Sequence, residues 1–161
     1  NLLAIVWDLT TPEQAHAILD KMNEFEMAHP VPTQVVHRAY PDNLIAIENR
    51  LGGIANYHTS AAWLWLGAWH VIALARMKRL AEAELLLYRI SNVIVRDGAV
   101  HEVYAPDGYY LSNFWYTSEA PLTWSAGMVI HAHHVYQRQV RTASETAAPA
   151  GSEHGGSSSQ N

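Results

Sequence analysis

Between Trp63 and Ala75 the chain carries a single strongly polar side chain, His70. At helical spacing this stretch puts Trp63, Leu66, Gly67, His70, Leu74 and Met77 on one face and Trp65, Trp69 and Ile72 on the other. A helix that is apolar nearly all round has to be packed on both sides, so it belongs at the centre of a helical assembly. Thr59 or Ser60 is the expected cap, and Met77 the expected end. The run is too short to cross a bilayer, and no longer one exists in the chain.

The neighbouring elements follow from the same spacing. Thr11-Pro12-Glu13-Gln14 supplies a capping threonine, proline at the first helical position and glutamine at the capping-box distance. Ala15, Ile18, Leu19, Met22 and Phe25 then form one buried stripe. From His29 to His58 the period is lost and Pro30, Pro32, Pro41 and Gly52-Gly53 punctuate the chain. The apolar content of this connection, Val35, Val36, Leu44, Ile45 and Ile47, predicts that it is ordered, and a long ordered connection is where sites are built. Lys78-Arg79 leaves only a tight turn before a third helix, Leu80 to Ile94, so the second and third form an αα-hairpin that Asp97-Gly98 ends.

A small β-hairpin is expected next. Val100, Glu102 and Tyr104 alternate with His101 and Val103, Pro106-Asp107-Gly108 turns the chain, and period-two geometry places Glu102 and Tyr104 on one face. A fourth helix is predicted from Thr123 to Arg138 with Trp124, Gly127, Met128, His131 and Val135 on its packed side. After Arg141 the Ala-, Ser- and Gly-rich residues 142–161 read as a disordered polar tail. The fold class is therefore all-α, in one domain over residues 1–141. A net charge of -5 gives no basic footprint for nucleic acid. With no cysteine there is no disulfide framework or cysteine metal site, which leans towards a cytoplasmic home. No cofactor is indicated. His131, His133 and His134 lack the four-residue spacing of a helical zinc pair, so no metal is expected either.

Two segments carry a resemblance. Glu102-Val103-Tyr104, Pro106-Asp107-Gly108 and then Ser118-Glu119-Ala120-Pro121-Leu122-Thr123-Trp124-Ser125-Ala126-Gly127 resemble the closing segment of the six-hairpin glycosidases. Upstream, Asn56-Tyr57-His58-Thr59 and Trp63-Leu64-Trp65 are similar to the Tyr-His-Asn-Gly and Trp-Pro-Trp patterns of amylo-1,6-glucosidase-like members, with Thr59-Ser60 in place of Asn-Gly and Leu64 in place of proline. The resemblance to this group, which includes glucoamylase and trehalase-like enzymes, implies αα-hairpins forming part of an (α/α)6 toroid. It implies a carbohydrate substrate, an inverting glycoside hydrolase, and Glu102 as the general base that activates water. Tyr57, His58, Trp63, Trp65, Tyr104, Tyr116, Glu119 and Trp124 are the expected substrate contacts, since flat aromatic faces suit the apolar faces of pyranose rings. Glu119, ahead of the fourth helix, is the rival base.

Inverting hydrolysis also needs an acid, roughly 6.5–9.5 Å from the base across the sugar. Asp8, Asp42 and Glu48 carry no matching motif. The acid is expected on an earlier hairpin of the ring, and the chain, which opens at Asn1 directly on an apolar stretch, is expected to be the carboxyl-terminal piece of a longer protein completed by the rest of the toroid. The alternative reading is a non-catalytic helical module whose inner helix, with exposed Trp63, Trp65 and Trp69, docks on a partner chain.

Overall fold

The computed structural model describes residues 1–29 and 31–147; Pro30 and the tail from residue 148 on lie outside the described residues. The chain is mostly helical, in the order α1 (Leu2–Val6), α2 (Pro12–Glu24), α3 (Ile47–Leu51), β1 (Ala62–Trp63), α4 (Leu64–Arg76), α5 (Leu80–Asp97), β2 (Val103–Tyr104) and α6 (Thr123–Ala147). Helix α2 starts as its sequence dictates: the Thr11 side chain accepts from the Gln14 amide and the Gln14 side chain accepts from the Thr11 amide.

Helix α4 is the centre of the molecule. Leu64, Ala68, Val71, Ile72, Ala73 and Ala75 are all within 1% of complete burial, and α1, α5 and α6 pack around them. Each large side chain sequestered in this way contributes roughly 1.5–3 kcal/mol relative to exposure. Gly67 lets the loop after α2 approach: a Cβ there would lie 2.5 Å from Pro32 Cβ and 3.1 Å from Ile90 Cδ1. The α4–α5 hairpin is closed by Met77 to Arg79, and Arg79 reaches Asp20 of α2 at 2.6 Å while holding Glu82 through two further bonds. Helix α5 ends at Gly98, whose φ of +68° is a left-handed cap conformation that glycine adopts without strain.

Several expectations are corrected. Neither Thr59 nor Ser60 caps α4; Trp63 stands at the cap, because the chain runs from β1 straight into the helix and the Leu64 amide is satisfied by the Glu102 carbonyl at 3.2 Å. The apolar inner helix is largely covered by the chain's own elements: of the tryptophans expected to be exposed, Trp63 is 7% exposed, and Trp65 and Trp69 are half-buried. On α6 the packed side is Ser125, Ala132 and Tyr136 with Met128, Val129, Val135 and Val140, while Trp124, Gly127 and His131 face solvent. That helix also continues to Ala147 instead of giving way after Arg141. Thr142, Ser144 and Thr146 return their hydroxyls to the carbonyls of Arg138, Val140 and Thr142, so the side chains that usually compete with a helix here bond within it.

Buried His70 on α4 shares its Nδ1 with Thr33 Oγ1 at 3.2 Å, and burial pushes the imidazole down to about 4. Above the ordinary histidine value near 6.5 the ring is neutral in folded and unfolded chains alike. Between about pH 6.5 and 4 only the unfolded chain takes up the proton, so stability falls as pH drops through that window. A displacement of this size corresponds to roughly 3 kcal/mol. Urea unfolding at pH 7 and at pH 4.5 should show a marked acid loss for the native sequence and a much smaller one for His70→Gln. Equal losses in both would place the acid sensitivity elsewhere.

Candidate functional site

Glu102 lies in a bend just ahead of β2. Its amide donates to the Glu119 carbonyl at 3.0 Å and its carbonyl accepts from Leu64, so both backbone groups are committed and the residue is fixed between the start of α4 and the segment leading to α6. The next residue is held by its amide on Ser118 Oγ at 3.0 Å. Strand β2 pairs antiparallel with β1, Ala62 opposite Tyr104 and Trp63 opposite Val103, so the expected hairpin is in part a long-range pairing. Its local half survives as the turn over Ala105 to Gly108, which brings Leu111 back to the Val103 carbonyl at 3.0 Å.

The side chain of Glu102 meets two phenols. Tyr57 donates to Oε2 at 2.7 Å and Tyr116 donates to the same oxygen at 2.8 Å. Among the described residues no donor is bonded to Oε1. Burial, reinforced by the bond to Glu102, pushes the Tyr57 hydroxyl up to about 12 and the Tyr116 hydroxyl higher still. Both phenols therefore remain donors at any physiological pH, and they hold the carboxyl in one orientation with Oε1 free.

From Tyr57 a continuous aromatic wall extends. Tyr116 meets Tyr57 edge-on at 5.6 Å, Tyr57 meets Trp63 edge-on at 4.7 Å, and His58 lies parallel to Trp63 at 5.7 Å. Trp63 touches Trp65 at 6.0 Å, and Trp65 stacks on Trp124 at 5.0 Å and 9°. The turn carrying Tyr57 is tied to this wall by Trp63 Nε1, which donates to the Tyr57 carbonyl at 2.8 Å. Trp65 Nε1 is buried without a hydrogen-bond partner among the described residues. The structure thus brings together Glu102, Tyr57, His58, Trp63, Trp65, Tyr116 and Trp124, which lie far apart in sequence.

Glu119 lies at the edge of this group, close enough for its charge to help raise the Tyr57 hydroxyl, and Tyr104 stands apart from it. Glu119 reaches Glu102 through its backbone carbonyl, and its side chain is exposed. Tyr104, expected beside Glu102, is fully buried in the main core, where its hydroxyl faces the Asp97 carboxylate without a hydrogen bond of standard geometry. The alternation fails because β2 is only two residues long and Glu102 sits in a bend outside it.

Asn113 was not singled out by its sequence. Its Oδ1 accepts from the amides of Trp115 and Tyr116 at 2.8 and 2.9 Å, and its Nδ2 donates to the carbonyls of Gly52 and Gly53 at 3.2 and 3.1 Å. An asparagine capping the two amides that follow it is a local turn device, and that signal was available. The link to Gly52-Gly53 was not. The connection from His29 to His58 and the segment from Val100 to Trp115 therefore meet on one side of the helices.

No family model, curated protein or solved structure matches the chain. The principal pockets lie away from Glu102. One is lined by Leu19, Met22, His70, Leu74, Leu86 and Arg89, and another by Ile18, Phe25, Met27 and Val36. Glu102 itself is half-buried on an aromatic face. Among the described residues no helix is long and apolar enough to cross a membrane, and no group of three His, Cys, Asp or Glu side chains is gathered at metal-binding distance.

Proposed function

We propose that this chain is the closing part of the catalytic domain of an inverting glycoside hydrolase acting on α-linked gluco-oligosaccharides, with Glu102 as its general base. The observation that carries the reading is one carboxylate whose Oε2 is held by two phenols while no donor among the described residues is bonded to Oε1, at the end of a wall of aromatic rings in edge-on and stacked contact. A water on Oε1 would lose a proton to the carboxylate as it attacks the anomeric carbon, and the accessible rings, Tyr57, Trp65 and Trp124, would seat the sugar, with buried Trp63 behind them. The leaving oxygen takes its proton from an acid on the opposite side, which in a toroid belongs to another hairpin.

Product stereochemistry tests the assignment. With the whole ring present, proton NMR during hydrolysis of an α-linked substrate should show the β-anomer first. Initial release of the α-anomer would mean a nucleophilic carboxylate and a carboxyl separation of about 5–5.5 Å, and Glu102 would no longer be a base.

A second reading, a helical assembly module, is favoured by the outer face of α5. There Leu85, Tyr88 and Val95 are 49%, 63% and 80% exposed along one side. A partner chain would cover that face, and so would a neighbouring hairpin of the ring.

A further inference from the structure

The segment from Tyr109 to Tyr116 holds five aromatic side chains, and three are engaged by the fold. Tyr109 lies under the Arg96 guanidinium at 4.8 Å, Tyr110 stacks on His101 at 4.0 Å, and Tyr116 bonds Glu102. Phe114 and Trp115 have only each other among the described residues: they meet edge-on at 4.8 Å and 87°, and are 88% and 74% exposed. Two large apolar rings in water at the tip of a turn are a poor solution for stability alone.

The turn that presents them is rigid. The Asn113 side chain makes four hydrogen bonds, two within the turn and two to Gly52 and Gly53, and the Asn113 amide donates to the Tyr116 carbonyl at 2.7 Å. Ser112 and Thr117 face each other across its base, hydroxyl to hydroxyl at 3.1 Å. The approach to Gly53 is close enough that a Cβ there would sit 3.1 Å from Asn113 Nδ2, and Gly53 has a φ of +69°. Rings held this way lose little freedom when a ligand covers them. The residue that follows Trp115 bonds Glu102, so the turn is continuous with the aromatic wall.

We infer that Phe114 and Trp115 form a second sugar-stacking subsite, which takes the further glucose units of an oligosaccharide whose first units lie on the Glu102 face. This rests on the glycoside reading above. Asn113 is its positioning residue, since one side chain both fixes the turn and orients Tyr116 towards Glu102.

Calorimetric titration of the complete catalytic domain with maltose and isomaltose, and with their longer homologues, tests it. The longer sugars should bind about tenfold more tightly than the disaccharides, the worth of one further ring-on-pyranose contact. Trp115→Ala, which removes an exposed ring, should abolish that increment and leave disaccharide affinity and the circular dichroism spectrum unchanged. Asn113→Ala should reduce the increment and also alter the Tyr116 hydroxyl environment seen by NMR. The inference is overturned if disaccharides and longer sugars bind alike, or if Trp115→Ala weakens both equally. It is also overturned if Trp115→Ala changes only the sedimentation of the protein, which would make the turn an interface between copies. Absence of any sugar binding would remove the glycoside reading along with it.

Discussion

Glu102→Gln is expected to lower kcat of the complete catalytic domain by about 10²–10⁴-fold, the usual contribution of a general base. The amide keeps the shape of the carboxyl, and its oxygen can still accept from Tyr57 and Tyr116 at the position of Oε2. Its NH₂ then replaces Oε1, so the atom facing the attacking water donates and cannot take a proton. Because the amide leaves the aromatic wall and the backbone bonds of residue 102 untouched, KM and thermal stability should change little. The loss should therefore fall on kcat and on kcat/KM alike. Glu119→Gln should cost far less, since Glu119 meets Glu102 through its backbone carbonyl. Near-normal turnover of Glu102→Gln together with an inactive Glu119→Gln would move the base to the residue before α6. If neither substitution mattered, Glu102 would have no role in hydrolysis.

A loss of stability is also expected at Gly67. Alanine in a helix is favoured over glycine by about 1 kcal/mol, so a bare propensity argument predicts a gain from Gly67→Ala. The contact decides otherwise. The new methyl would lie 2.5 Å from Pro32 Cβ and 3.3 Å from the Pro32 carbonyl carbon, and a proline ring has no rotamer by which to withdraw. Pro32 would have to move with Thr33, whose carbonyl accepts from the Trp63 amide at 2.9 Å and whose hydroxyl meets His70. Overpacking of this kind costs typically 1–3 kcal/mol, of which the propensity gain offsets about 1 kcal/mol, so Gly67→Ala should be destabilising on balance by up to about 2 kcal/mol and Gly67→Val by more.

Gly98 is the contrasting case. There a Cβ meets nothing within 4 Å, but φ is +68°. Gly98→Ala should cost about 1–2 kcal/mol from backbone conformation alone, and Gly98→Asn much less. Urea unfolding of the four variants separates the mechanisms: asparagine should rescue position 98, where conformation is limiting, and a further Ile90→Val should ease only position 67. A Gly67→Ala variant more stable than the native chain would mean that α4 and the Pro32 loop are farther apart.

What could be read from the chain was local. The Thr11 to Gln14 capping box, the α4–α5 hairpin and the stop at Gly98 are each specified by a few consecutive residues, and all three form as read. The errors come from partners distant in sequence. Thr59 and Ser60 have good capping chemistry, but the Glu102 carbonyl, from beyond α5, meets the first amide of α4. On α6 Trp124, Gly127 and His131 were assigned inwards but face solvent, whereas Ser125, Ala132 and Tyr136 face in beside the expected Met128 and Val135. Glu102, Tyr57 and Tyr116 were each named separately; that two hydroxyls converge on one oxygen depends on β1 pairing with β2, which no spacing encodes.

The bond from the Leu64 amide to the Glu102 carbonyl joins the hydrophobic interior to the candidate base by one peptide link. The first amide of α4 and the backbone that carries the carboxylate therefore share one bond. Residue 102 carries separate constraints on its two parts: its side chain is held by two phenols, while its main chain is bonded to α4 and to Glu119. An insertion or deletion anywhere from Gly98 to Glu102 would shift both at once, so the site and the interior have to drift together through sequence change or not at all.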